Sequence, residues 1–254
     1  MTDNPLPEDQ PQTLVEHLIE LRDRLLRAML AVLIIFLGIF YFSREIYALV
    51  ALPLTNALPE GTSMIATEVA APFLVPFKLS LYVSILIAMP VILHQIWAFI
   101  APGLYKHEKK LAIPLLISSV FLFYLGAAFA YFVVFPLIFA FFTAIAPEGV
   151  AIATDIGRYL DFVMKLFIAF GLAFEMPIAI VLLVKAGVTT VASLKEKRPY
   201  IIVGCFVVGM LLTPPDIISQ TLLALPMWIL FEIGLFFAKW VKPEEKKESL
   251  ISEN

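Results

Sequence analysis

Charge is scarce in this sequence: Asp, Glu, Lys and Arg make up 15% of its 254 residues, against 61% apolar residues. With a mean hydropathy of +0.94, a soluble globular domain is excluded and an integral membrane protein is expected. The apolar runs are long and unbroken rather than alternating, which excludes an outer-membrane barrel and calls for helices. Cysteine is almost absent. The single Cys205 lies inside an apolar run and cannot close an internal disulfide, and three scattered histidines make no metal site. No phosphate loop of the form GxxxxGK[ST] occurs, so the chain does not itself hydrolyse ATP. No span carries a nucleophile with its base, a His-Glu metal motif or paired aspartates, so an intramembrane enzyme is not expected, and neither is a cofactor. The opening MTDNPLPEDQPQ is acidic and Pro-rich, unlike a cleaved signal peptide, and 1–12 is expected to be a disordered tail.

What is present is a set of six membrane-length or near-length segments within 13–238, followed by a charged tail at 239–254 that is also expected to be disordered. Thr13 and Glu16 fit a capping box, and Leu14, Leu18, Leu21 and Leu25 recur at helical spacing before the apolar run 28–43. Residues 44–67 break the pattern with Pro53, Pro59 and Gly61, predicting an extramembrane loop with a short amphipathic helix near 46–54. Spans are expected at 73–93, 111–136 and 162–184, and a fifth run, 200–212, has only thirteen residues. That is about 20 Å of helix, too short for a bilayer core of about 30 Å. Thr213, Pro214, Pro215 and Asp216 turn the chain, and 217–238 returns as the sixth span. Fourteen of the eighteen Lys and Arg residues fall on one side of this arrangement, which places both termini in the cytoplasm. The expected fold is therefore an all-α, six-span concave bundle whose last two spans are short.

Candidate functional residues gather where polarity interrupts the apolar runs. The stretch WAFIAPGLYKHEKK, 97–110, is a polar hinge with one carboxylate, Glu108, among Lys106, His107, Lys109 and Lys110. The ordinary reading is a basic rim that holds the helices at the headgroups; the sharper one is that Glu108 receives a cation from a partner. On the first helix Glu20 with Arg24 and Asp23 with Arg27 stand four apart, and such pairs ordinarily stabilise a solvated face by a few tenths of a kcal/mol. Glu175 lies ten residues before Lys185, roughly 15 Å from that interface, where an acid must be protonated, paired or facing a polar cavity. Counting back from the shallow turn, Gln220 is expected at a similar depth. Two function classes follow: a protein-translocation receptor, or a small-solute secondary transporter using Glu175 as its proton or ion site. The short fifth run has no counterpart in the first half, which weakens an inverted-repeat carrier.

The blocks HLIELRDRL, WAFIAPGLYKHEKK, AFAYFVVFP, FGLAFEMPIAI, KRPY and GMLLTPPDIISQ, in this order, closely resemble the TatC family, the polytopic subunit of the bacterial twin-arginine protein translocase. The resemblance covers 13–238 and implies a six-helix inner-membrane receptor. Such a receptor binds twin-arginine signal peptides of folded precursors at its cytoplasmic face, works with the single-span TatB and TatA proteins, forms homo-oligomers and draws on the protonmotive force. Matched position by position, it puts signal-peptide binding on Glu20, Arg22, Phe99 and Glu108. It puts the buried polar layer on Glu175 and Gln220, and partner docking around Met210, Thr213 and Gln220.

Overall fold

The structure, a computed structural model, describes residues 14–56, 58, 63–104, 109–145, 153–213 and 216–241. Among these the regular elements are all helices. The first, α1 (Leu14–Ile39), passes through a 3-10 turn (Phe40–Phe42) into α2 (Ser43–Thr55). The expected break at Arg44 is thus bridged by helical turns, and the expected short helix near 46–54 is α2. Three long helices follow. α3 is Ala71–Leu104; α4 (Lys109–Phe129) runs through a π turn (Ala130–Val134) into α5 (Phe135–Ala144); α6 is Ile156–Lys185. A short α7 (Val191–Glu196) precedes α8 (Arg198–Leu212) and α9 (Ile217–Ala238). Five stretches are long and apolar enough to cross a membrane, α8 is a shorter apolar helix, and α8 and α9 are the two shortest of the six spans. At 15 residues, α8 covers only about 22 Å.

Several helices outrun their apolar cores. α3 continues from residue 93 to Leu104, which carries Phe99 beyond the hydrocarbon and narrows the polar hinge to 105–108, outside the described residues. α6 begins at Ile156 rather than 162 because Asp155 caps it: the carboxylate accepts from the N–H groups of Gly157 and Arg158, both at 2.9 Å. At its other end Gly187 (φ 67°) closes a Schellman turn, its N–H reaching the Val184 carbonyl and the Val188 N–H reaching that of Leu183.

The core lies along α6, where Leu160, Val163, Leu166 and Phe170 are fully buried. Lipid tails provide no hydrophobic drive between helices, so close packing must do the work, and small residues permit it. A Cβ on Gly126 of α4 would stand 2.5 Å from the Phe170 carbonyl oxygen, one on Gly171 2.4 Å from the Phe123 ring, and one on Gly234 of α9 3.0 Å from Pro177 Cα. These contacts draw α4, α6 and α9 into one seam.

On the side away from most Lys and Arg residues, α2 and the loops are tied down by polar contacts. Pro53 has no N–H for the Leu49 carbonyl, and the Tyr131 hydroxyl, offered from the π turn, donates to that oxygen at 2.8 Å. Tyr159 does the same for Val50 at 2.7 Å. Asp155 accepts from both the N–H (2.9 Å) and the hydroxyl (2.7 Å) of Thr67, beside a two-residue parallel bridge between Ile65 and Asp155. The Thr67 hydroxyl, then the Arg158 and Thr67 N–H groups, hold the Asp155 carboxyl well below the usual carboxylate range.

Candidate functional site

Two polar regions stand out on the helices. At the Lys- and Arg-rich end, α1 presents Glu16, Ile19, Glu20, Asp23, Arg24 and Arg27 around a shallow cleft of about 360 Å³. Helical periodicity places Glu16, Glu20, Asp23 and Arg27 on one face, which is why acids and guanidiniums alternate along it. Glu20 accepts two hydrogen bonds from Arg24, the Nε bond measuring 2.9 Å, and both side chains are largely covered, 27% and 19% exposed. Asp23 instead takes Arg22, whose side chain is 67% exposed. The pair expected between Asp23 and Arg27 is therefore replaced by one with the neighbouring arginine. Phe99 of α3 reaches α1 through His17, the two rings stacked at 4.3 Å and 22°. Since His17 precedes Glu20 by three residues, Phe99 and Glu20 belong to one surface. Glu108 lies outside the described residues.

Deeper in the bundle an apolar groove of about 440 Å³ runs between α3 and α6, lined by Leu93, Ile96, Trp97, Leu172, Ile178 and Leu182, with Glu175 as its acid. Trp97 Nε1 donates to Ser119 Oγ at 3.1 Å, and the fully buried Ser119 hydroxyl lies against the Glu175 carboxyl, so three helices share this polar contact. Glu175 Oε1 is nonetheless buried with no protein partner. Trp97 and Ser119 were not among the expected site residues. Trp97 sits in the WAFIAPG block, but Ser119 comes from α4 and no local pattern marks it.

Gln220 does not share this layer. Gly234 of α9 packs level with Pro177 of α6, and counting back along each helix puts Gln220 roughly 18 Å farther toward the opposite end than Glu175. The reason is that α9 keeps its full 22 residues, so a short α8 does not sink the start of α9. Gln220 instead meets α8 where the backbones approach, 3.3 Å from an added Cβ on Gly209 to its carbonyl oxygen. Met210 is 48% exposed there, whereas Thr213 is buried and spends its hydroxyl on the Gly209 carbonyl at 3.0 Å. Met210, Thr213 and Gln220 thus gather at the α8–α9 turn, and Thr213 acts as that helix's own cap.

The family model for the Sec-independent protein translocase protein (TatC) matches residues 16–226. The chain belongs to the TatC family. A TatC from Azotobacter chroococcum mcd 1 is 64% identical over 94% of this chain and 93% of its own length, and that of Escherichia coli K12 is 60% identical over 91% and 90%. Two solved structures described as the twin arginine translocase receptor TatC, one of them in DDM, superpose with TM-scores of 0.79 and 0.81. They share 43% and 42% identity and cover 88% of this chain. As a TatC family member, the chain is a multi-pass inner-membrane subunit of the Sec-independent protein translocase, a transport protein rather than an enzyme. This membership also sides with translocation over the solute-carrier alternative.

Proposed function

We propose that the chain is the receptor that binds twin-arginine signal peptides of folded precursors and gathers single-span TatA and TatB partners for protonmotive-force-driven export. The observation that carries this reading is the shared surface of Glu20 and Phe99 at the Lys- and Arg-rich end. Glu20 already holds a guanidinium, that of Arg24, through two nitrogens, so its surroundings suit a planar fork. A peptide arginine pair would be taken by Glu20 and Glu108 through charge-assisted hydrogen bonds, and Phe99 would cover the apolar residues that follow. Ammonium lacks the fork, so a lysine pair binds more weakly. Exposed Met210 and the apolar outer face of 207–212 offer a helical partner a docking strip beside Gln220, where one interhelical hydrogen bond adds about 0.6 to 2 kcal/mol.

The test uses Glu20→Gln and Glu108→Gln in the full chain, with a photoreactive twin-arginine peptide and an export reporter. Each substitution is expected to weaken peptide binding about 10- to 100-fold, the range for losing a hydrogen bond to a charged group, with folding unchanged. Normal export by the double variant, or equal capture of twin-lysine and twin-arginine peptides by the unaltered chain, would refute the reading.

A further inference from the structure

We propose that His17 is a positioning residue for signal-peptide recognition: it fixes the Phe99 ring at a set distance from Glu20, so that one peptide meets its cationic and apolar contacts together. The inference rests on the signal-peptide reading above and adds a residue to it.

Three observations lead to His17. Its imidazole is stacked on Phe99 with centroids 4.3 Å apart and planes 22° from parallel, a face contact that defines both the position and the tilt of the phenyl ring. It stands one turn before Glu20 on α1, so the ring that orients Phe99 and the carboxylate that holds a guanidinium ride on the same rigid helix. Phe99 itself is only half-buried, near the end of a helix that has outrun its apolar core. A half-exposed ring with no fixed neighbour samples several rotamers, and a peptide that needs one of them loses affinity by the fraction of time the others are occupied. The stack removes that loss in advance. His17 acts through Phe99, so its removal must change how strongly the site reads the peptide's apolar residue and leave its preference for guanidinium over ammonium intact.

The experiment measures binding of four synthetic signal peptides to the full chain in detergent or nanodiscs. The peptides carry an arginine or a lysine pair, each with leucine or alanine at the first apolar position after it. In the unaltered protein, leucine is favoured over alanine. His17→Ala is expected to shrink that leucine-to-alanine ratio about two- to tenfold, the scale of an aromatic pair, while the arginine-to-lysine ratio stays within twofold. His17→Phe, which keeps a stack and drops the imidazole nitrogens, restores the leucine preference. Phe99→Leu removes the ring that His17 orients, so in that background His17→Ala has no further effect. The proposal is overturned if His17→Ala scales all four affinities by a common factor or leaves them unchanged, or if His17→Phe behaves like His17→Ala. Should His17→Ala fail to fold, His17→Gln and the comparison of His17→Phe with Phe99→Leu read the same ratios. Equal binding of arginine- and lysine-pair peptides by the unaltered chain would defeat the receptor reading itself, and this inference with it. Discrimination there without a His17 effect defeats this inference alone.

Discussion

Along the seam of α4, α6 and α9, backbone presses on backbone with no spare volume, whereas α1 and α8 each lean chiefly on one neighbour and leave much of their apolar surface uncovered. Phe170, Phe123 and Leu160 in the seam are fully buried; Leu33 and Leu37 on α1 and Val203 and Leu211 on α8 are more than half exposed. The contrast separates two tasks. The seam and the loop clasp hold the shape, and the open helices carry surfaces that a bilayer or a second polypeptide can cover.

Substitutions that cross this divide should be the most telling. The largest effect is expected from Gly126→Leu: the new Cβ would stand 2.5 Å from a backbone oxygen, which cannot give way, at a cost of about 3 kcal/mol or more, read as a fall in thermal stability in detergent. Asp155→Asn ranks next, because four hydrogen bonds converge on that carboxylate. Its folded pKa is depressed, so its stabilisation is complete above the unfolded value of about 4 and is lost as pH falls toward the folded one. The asparagine variant should therefore be less stable at neutral pH and show a flatter decline in acid, checked by melting curves across pH; identical acid limbs would show that the clasp is not charge-dependent. Tyr131→Phe leaves the Leu49 carbonyl without the donor that stands in for Pro53, costing about 1 kcal/mol and raising hydrogen exchange in α2. The smallest effect belongs to Gly204→Ala on α8, where an added Cβ meets nothing within 4 Å; stability should change by less than about 1 kcal/mol, upward if at all. A Gly204→Ala penalty as large as that of Gly126→Leu would erase the distinction between seam and wall.

Much of this architecture was legible in the residues. The sixth span matches its expected bounds, 217–238, because an Asp216 cap and a clean apolar run delimit it. The fourth was read six residues short, since Arg158, Asp161 and Lys165 make its first turns look polar although Asp155 caps a helix that includes them. The clasp between Thr67 and Asp155 joins positions 88 apart and leaves no local trace. Glu20 and Phe99 were foreseen from resemblance, but His17 between them was not, because a histidine in an amphipathic helix says nothing about what it stacks on. The shared depth expected for Glu175 and Gln220 failed because it was counted from the membrane surface, whereas depth is set by which residues of α6 and α9 touch.

The π turn at Ala130–Val134 makes chain length, rather than residue identity, the sensitive quantity in its helix. One residue more than an α turn holds is stored there. Removing any single residue nearby would let the turn relax to ordinary winding and rotate everything after it by about 100°. Phe135, Ile138 and Phe139, now buried, would swing off the face that meets α6, and Tyr131 would lose its aim at Leu49. The segment can exchange one apolar side chain for another and keep its place, yet it has no tolerance for a gap.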